Sequence, residues 1–550
     1  MRNAHEVAKV RAAERALMAR LPAGTLMGRA AAGLASVCAA LLGHTYGSRV
    51  VILAGSGDNG GDALHAGALL ARRGAIVVAI AAGSRTHEAG TSALRDASGR
   101  VIGPADPLVP AVMRAADLII DGMLGIGGRG GLREPYAALA AQARDVRGIV
   151  VAADLPSGVD ADTGVVDGPA VRAQATVTFG TWKPGLLVDP GATHAGVVEL
   201  VDIGLGPYLD PPDVAAAQAP DIGALLPWPT ADSDKYRRGV VGVLAGSDRF
   251  TGAAVLAVGG AVRAGAGMVR LVTTEAAALA VRHQWPEAII TVLGPGGGSG
   301  TPGADHMAVL RSAGRVQAWL AGPGMGTGEA AAGLLAAALG TNLPVLVDAD
   351  GLTLLARDRG LLPRGAPTLL TPHAGELARL LGADRADVEA RRLEHARRAA
   401  AELHATVLLK GSTTVIAPAP ADGAYLGGHS ASQGDTPGPP RPRAPRGHSK
   451  TRPEMVNPTG TPLLATAGTG DVLSGLAGTL LAQGLHPVDA ATAAAYLHGM
   501  AARLAATGPG ERAVPAWGDD ASRPPKPPAA PIAAADVIGA LPSAFRALNK

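Results

Sequence analysis

The stretch 50-VVILAGSGDNGGDALHAGALLARRG-74 decides how the N-terminal half of the chain is read. Its apolar opening reads as a buried strand, the glycines after it as a tight turn, and the Ala- and Leu-rich remainder as a helix. A glycine turn at the carboxyl end of a parallel strand, opening into a helix, places a ligand at that edge of the sheet. The pattern is not G-x-G-x-x-G, because its core is Asn59, Gly60, Gly61 and Asp62. Asn59 can offer a carbonyl oxygen to a cation, and Asp62 a carboxylate to a ribose or to the backbone. An ordinary turn with Asp62 as helix cap would use the same residues.

Outward from this stretch the pattern repeats. Apolar runs at 75-AIVVAI-80, 117-DLIIDG-122, 149-IVVAADLP-156 and 175-ATVTFG-180 alternate with helical segments. The C-terminal half does the same at 240-VVGVLAG-246, 268-MVRLVT-273, 317-QAWLAGPG-324, 344-PVLVDAD-350, 368-TLLTPH-373 and 406-TVLLKGS-412. Alternation of apolar strands and helices argues for parallel sheets covered by helices. The Pro- and Ala-rich stretch 206-GPYLDPPDVAAAQAPD-221 reads as a linker, which gives two α/β domains, 1–210 and 225–550. Two segments of the second domain, 427–454 and 517–531, have the composition of disordered surface insertions.

Composition narrows the function. The chain has 550 residues, 47% hydrophobic and 17% charged, so it can bury large cores. A net charge of +3 gives no basic patch to argue for nucleic acid. The one cysteine, Cys38, excludes an internal disulfide framework and fits a reducing compartment. The N-terminal 21 residues read as an amphipathic charged helix, not a signal peptide. No apolar run is read as reaching the roughly 18 residues of a membrane span, and 30-AAAGLASVCAALLG-43 reads as a buried helix. A cytoplasmic protein with no membrane partner is expected.

Further strand ends in the first domain carry acids. Asp121 closes one strand and leads into 122-GMLGIGGRGGLREP-135; Asp154 closes another and leads into 155-LPSGVDADTG-164. A buried strand-end carboxylate is costly unless paired or metal-bound. Asp121 and Asp154 with Asn59 and Ser157 make an all-oxygen site suited to a hard cation.

These motifs, with 179-FGTWKPGLLVDPG-191, resemble the NAD(P)H-hydrate epimerase domain over residues 5–206. The resemblance implies a Rossmann-like, three-layer fold that interconverts the R and S hydrates of NADH or NADPH and binds potassium. By motif, Asn59, Asp121 and Ser157 would hold potassium. Asp58, Asn59, Gly60, Gly61 and Asp62 would contact the hydrated dinucleotide, as would Gly125, Ile126, Gly127, Gly128, Arg129, Gly130 and Gly131. Asp154 would touch the reacting end of the substrate, and as a strand-end acid it is the candidate for proton transfer at the carbinol carbon. The chain departs from the family at Asp58, where a second Asn is usual, and at Ala63, where Gly is usual. Lys183 reads as a surface lysine in preference to a charge partner of the substrate.

The second domain has its own series of strand-end motifs: 246-GSDRFTGAA-254, 322-GPGMGTG-328, 348-DADGL-352 and 370-LTPHAGELARLLG-382. His373 follows a proline at a strand end, where its ring can face the cleft. In 406-TVLLKGSTTVIA-417, read as one strand, Lys410 is followed by Gly411, Ser412, Thr413 and Thr414, a set of donors suited to phosphate oxygens. The stretch 465-ATAGTGDVLSGLAG-478 joins a glycine turn to a helix that starts with Asp471. Phosphoryl transfer needs donors where charge develops and a base for the attacking hydroxyl. The amides of 468–470 supply the first and Asp471 the second.

This order of motifs resembles ADP-dependent NAD(P)H-hydrate dehydratase, a ribokinase-like α/β fold, over 225–550 apart from the insertions. The resemblance implies that ADP phosphorylates the hydrate and that loss of phosphate restores NAD(P)H, leaving AMP. By motif, Ala253, Gly324, His373 and Asp471 would contact the hydrate. Lys410, Gly411, Ser412, Thr413, Thr414 and Gly470 would contact the adenine nucleotide, with magnesium accompanying ADP. A homo-oligomer is expected. Two alternatives are a kinase of a small vitamin or sugar fused to a nucleotide-binding domain, and a non-catalytic sensor of nicotinamide nucleotides.

Overall fold

A computed structural model describes residues 1–294, 305–420, 452–507 and 530–548. The two insertions read from composition lie outside the described residues, apart from their ends at 452–454 and 530–531.

Two sheets organise the chain. The first has seven strands, all parallel, in the order Arg100–Ile102, Ile76–Ala81, Arg49–Ala54, Leu118–Gly122, Ile149–Ala153, Ala175–Phe179, Val197–Val201. The opening run supplies its third strand, and Val50 to Ala54 are each at most 2% exposed. Both faces are therefore covered, which is why the run is continuously apolar and not alternating. Burying each such Val, Leu or Ile stabilises the fold by about 1.5–3 kcal/mol. Arg49–Ala54 pairs with Ile76–Ala81 on one side and Leu118–Gly122 on the other. The chain thus changes direction across the sheet at this strand, and a crevice opens at its carboxyl end.

The second sheet has eleven strands, in the order Arg2–Ala4, Val214–Ala216, Glu454–Asn457, Thr414–Ala417, Thr406–Leu409, Thr368–Leu370, Val345–Val347, Ala318–Ala321, Val240–Leu244, Met268–Thr273, Ile289–Val292. Its switch point is Val240–Leu244, which pairs with Met268–Thr273 and with Ala318–Ala321. Beside it, the helices Thr251–Arg263 and Thr469–Ala482 touch backbone to backbone. A Cβ on Gly475 would lie 2.0 Å from the Ala257 carbonyl oxygen, so only glycine permits this approach.

Each of the eleven apolar runs read as strands contains one. Four readings change. The run 406–417 is a hairpin, Thr406–Leu409 and Thr414–Ala417 antiparallel, because Lys410, Gly411, Ser412 and Thr413 form its turn. The N-terminus is a strand, Arg2–Ala4, ahead of the helix Val7–Met18, and that strand belongs to the second sheet. The stretch 206–221 carries the strand Val214–Ala216, which pairs with both Arg2–Ala4 and Glu454–Asn457. Lastly, Thr25–Leu42 is long and apolar enough to cross a membrane by length and composition, with a mean hydropathy of 1.5. Its buried residues, Ala30, Ala31, Leu34, Ala35 and Cys38, form one helix face within the core of the first unit. One hydrophobic core runs between the units, from Leu155, Trp182 and Leu187 into Trp319, Leu370 and Leu409.

Candidate active sites

The first site lies at the crevice of the seven-stranded sheet. The helix Asp58–Arg72 begins at Asp58 with Gly57 as its cap, so Asp58 to Asp62 form its opening turn, and Asp62 is not the cap. The free N–H groups of such a turn point at the crevice and favour an anion there.

Asp121 and Ser157 meet directly. Asp121 is fully buried and accepts hydrogen bonds from the Ser157 hydroxyl (2.7 Å), the Ser157 N–H (2.8 Å) and the Met123 N–H (3.2 Å). Burial pushes its pKa up to about 6 against the lowering effect of these bonds. Asn59 stands against Gly125, where a Cβ would lie 3.1 Å from its Cγ, and its buried Nδ2 has no partner. With no bond to lose, the amide can turn its oxygen toward a cation. A buried carboxylate, a hydroxyl and an unengaged amide are a donor set that fits potassium.

Asp154 is the strained residue of this site, with φ at +64°. A non-glycine residue is held in that region only when its surroundings fix it. Its Oδ1 accepts from the Thr178 hydroxyl (3.1 Å), the Phe179 N–H (3.4 Å) and the ammonium of Lys183. Lys183 is not on the surface: it is 1% exposed and also donates to Thr178 Oγ1 (2.9 Å) and the Phe179 carbonyl (3.0 Å). The chain after Ala175–Phe179 folds back over its own strand end, which carries the lysine inward. The apolar flanks of Lys183, Trp182 on one side and PGLLV on the other, are the signal in the sequence for this burial.

Further carboxyls face this pair. Burial raises the pKa of Glu14, on the N-terminal helix; Lys183 opposes that rise, while Asp154 and Asp58 add to it. Asp62 is pushed up to about 8, mainly by burial, then by Asp154, Asp58 and Glu14. Beside them opens a cavity of about 1010 Å³ lined by Glu14, Asp58, Asp62, His65 and Phe179. Gly130, from the 125–131 loop, lines a smaller cavity of about 190 Å³ that Arg391 of the second unit also reaches.

The second site lies at the carboxyl edge of the eleven-stranded sheet. Asp348 is 1% exposed; its Oδ1 accepts from Lys410 Nζ (2.7 Å) and its Oδ2 from the Ser474 hydroxyl (2.6 Å). Glu376 approaches the same ammonium at 3.7 Å. Burial alone would lower the Lys410 pKa, but Asp348 and Glu376 outweigh it and the pKa rises. Gly470 stands beside them: a Cβ there would lie 3.5 Å from Lys410 Nζ. Asp471 sits in the first turn of Thr469–Ala482. Burial raises its pKa to about 7, with Asp348 adding to the rise and Lys410 opposing it. Ala253 and Gly324 are also neighbours, since a Cβ on Gly324 would meet the Ala253 Cβ at 2.7 Å.

Two of the expected site elements also make contacts away from a ligand. His373 caps the helix Ala374–Leu381: its Nδ1 accepts from the Glu376 N–H (3.1 Å), and its side chain is 59% exposed. The side chains of Ser412 and Thr413 turn to Asp189 of the first unit. Among the described residues, no group of three or more His, Cys, Asp or Glu assembles as a metal cage. The acids around Lys410 suit an ion carried mainly on phosphates and water, so the residues fit a nucleotide-borne magnesium.

Residues 23–185 match the family described as YjeF-related protein N-terminus, and residues 241–432 and 448–516 match NAD(P)H-hydrate dehydratase. The bifunctional NAD(P)H-hydrate repair enzyme Nnr of Mycobacterium leprae is 46% identical over 525 residues, covering 94% of this chain and 96% of the relative. The chain belongs to the bifunctional NAD(P)H-hydrate repair enzymes. The Mycobacterium tuberculosis member of these repair enzymes is also 46% identical, over 89% of this chain and 91% of its own. A crystal structure of the ADP/ATP-dependent NAD(P)H-hydrate dehydratase of Bacillus subtilis, co-crystallized with ATP and Mg²⁺, covers 61% of this chain and 99% of its own, at 26% identity and a TM-score of 0.46.

Within this repair enzyme, Lys183, Glu14, Asp348, Glu376 and Ser474 join the two sites without having been singled out as site residues. Asp348 and Glu376 lie inside the motifs DADGL and TPHAGE, so their signal was present. Glu14 carries none, being one charge among many on an amphipathic helix.

Proposed function

We propose that the first unit interconverts the R and S hydrates of NADH and NADPH. The second unit dehydrates the S form with ADP as phosphoryl donor, giving AMP and phosphate. The observation that carries this is the presence of two separate switch points in one chain, each with an acid close to a lysine: the buried pair Asp154 and Lys183, and the half-buried Asp471 near the half-buried Lys410.

In the first site, the opening turn Asp58 to Asp62 and the loop Gly125 to Gly131 hold the dinucleotide, and the 1010 Å³ cavity gives room on the side of Asp58 and Asp62. The carbinol carbon bears both the hydroxyl and the ring nitrogen, so epimerisation needs one group to take the hydroxyl proton as the C–N bond opens to an aldehyde and another to give a proton to the departing nitrogen, the two exchanging roles as the ring recloses on the opposite face. Asp154, oriented by Lys183 and Thr178, is the first. Asp62, with a pKa of about 8, is the second. Asn59, Asp121 and Ser157 hold potassium, which when bound offsets the buried charge of Asp121.

In the second site, Asp471 takes the proton of the hydrate hydroxyl as that oxygen attacks the terminal phosphorus of ADP and the bond from that phosphorus to AMP breaks. The helix N-terminus at 468–470 receives the transferring phosphoryl group. Phosphate then leaves with the C–O bonding electrons, and the adjacent ring carbon gives up its proton to solvent, which forms the ring double bond and restores the reduced ring. Ala253, Gly324 and His373 border the hydrate, while Lys410 to Thr414 and Gly470 border the nucleotide. Magnesium, held mostly by phosphates with Asp348, Asp350 and Glu376 near, would neutralise charge on the transferred group.

The test is an assay of the full-length protein on mixed hydrates, with ADP and ATP compared. Loss of both epimers with ADP is expected. Consumption of the S form alone would refute the first unit's role, and no consumption would refute the second's. A vitamin or sugar kinase, or a sensor without turnover, does not account for a repair-enzyme relative spanning both units. A cytoplasmic site and a homo-oligomeric assembly complete the proposal; the buried free thiol of Cys38 supports the first, and light scattering tests the second.

A further inference from the structure

We propose that Asp189, which belongs to the first unit, is a positioning residue for the nucleotide-binding loop 410–414 of the second. The inference rests on the assignment of that loop to ADP.

The Asp189 carboxylate is divided between the units. Its Oδ1 accepts from the Thr193 hydroxyl (2.6 Å) and the Thr193 N–H (3.1 Å), both in the first unit. Its Oδ2 accepts from the Ser412 hydroxyl, the Thr413 N–H (3.2 Å) and the Thr413 hydroxyl (3.1 Å). The Asp189 N–H in turn donates to Thr413 Oγ1 at 2.9 Å. Burial alone would raise the Asp189 pKa, but the bonds from Ser412, Thr193 and Thr413 outweigh it, so the group is held as an anion.

The loop needs such a hold. It is the turn of a hairpin between two short strands and contains Gly411. Its other flank is pinned by Arg392, which donates to the Lys410 carbonyl at 2.8 Å. With Arg392 on one side and Asp189 on the other, Lys410 stays on Asp348 and the loop backbone stays turned to the site. A binding loop fixed in its bound shape loses less freedom when ligand arrives. The hydroxyls of Ser412 and Thr413 serve the scaffold, not the nucleotide. Asp471 stands on a different element, Thr469–Ala482, so the strap acts on nucleotide binding and not on the proton transfer.

The experiment uses the full-length protein and measures ADP KM, kcat on the S hydrate and, separately, R-to-S epimerisation. Asp189→Ala should raise KM for ADP about tenfold, the equivalent of one charge-assisted hydrogen bond. It should leave kcat within about twofold, the pattern of lost uniform binding, and leave epimerisation unchanged. Asp189→Asn, which keeps the size of the side chain but not its charge, should do the same in smaller measure and serves if Asp189→Ala does not fold. An unchanged or lowered KM for ADP, or a parallel fall in both activities, would overturn the proposal. Lys410→Met separates the premise: if its KM for ADP is also normal, the loop assignment itself is wrong. If Lys410→Met raises KM and Asp189→Ala does not, only the positioning role falls.

Discussion

The ammonium of Lys183 is bonded to the carboxylate of Asp154, and the lysine is buried at 1% exposure. Asp154 is held at a positive φ by the same surroundings. Geometry and charge at this point are therefore set together.

Replacing either partner leaves the other charge buried and alone, which costs about 3–5 kcal/mol. Lys183→Met is expected to lower the denaturation midpoint of the protein and to slow epimerisation by at least about 100-fold. Asp154→Asn should leave only the S hydrate repaired. Chiral analysis of the hydrates during turnover checks both; rapid loss of both epimers in Asp154→Asn would sink the assignment.

Asp471 must be ionised to take a proton, and its folded-state pKa is raised to about 7. The dehydration kcat/KM of the free enzyme should therefore climb as pH rises through about 7 and level off above it. Asp471→Asn should lose about 10²–10⁴-fold in dehydration while epimerisation continues. A pH–rate profile on the S hydrate, flat between pH 6 and 8 in the wild type, would contradict the role as base.

Asp62 offers a stability test. Its carboxyl titrates at about 8 when folded, raised mainly by burial, against an ordinary 3.8. The folded state thus holds a proton that the unfolded chain has already released, so stability falls as pH rises from about 4 to 8. Asp62→Asn removes this dependence. Its gain in Tm over the wild type should be small near pH 4 and grow toward pH 8; a constant difference across that range would refute the burial argument.

Potassium should matter to one unit only. The unpartnered amide of Asn59 and the buried Asp121 provide for a cation in the first site. Exchanging potassium for tetramethylammonium, too large for such a site, should slow epimerisation and lower the Tm. Dehydration of pure S hydrate should hold its rate. Equal epimerisation in both salts would remove the cation from the site.

Much of this was legible beforehand because it is written locally. Short apolar runs bounded by glycine, such as VVILA, read as strands covered on both faces, and a glycine turn after a strand end lies at the sheet edge. Such turns are what singled out Asp121, Ser157, Gly470 and Asp471 as candidates. Lys183 was misread because a lone lysine near a strand end usually lies on the surface, and its neighbours had to be weighed with it. His373 was placed toward the cleft by its position after a proline at a strand end; the Glu376 three residues on, which makes it also a helix cap, was not weighed with it.

The sequence by itself determined that the chain forms parallel α/β sheets, where most of their strands run, and which glycine turns stand at strand ends, since each depends on residues close together in the chain. Tertiary structure alone decided which charges share a site. Lys183 and Asp154 are 29 residues apart, Lys410 and Asp348 are 62 apart, and Ser412 and Asp189 are 223 apart. No periodicity spans such distances. The partnerships follow from the order in which strands lie side by side, and from a core continuous enough between the units to bring Asp189 onto the loop it holds.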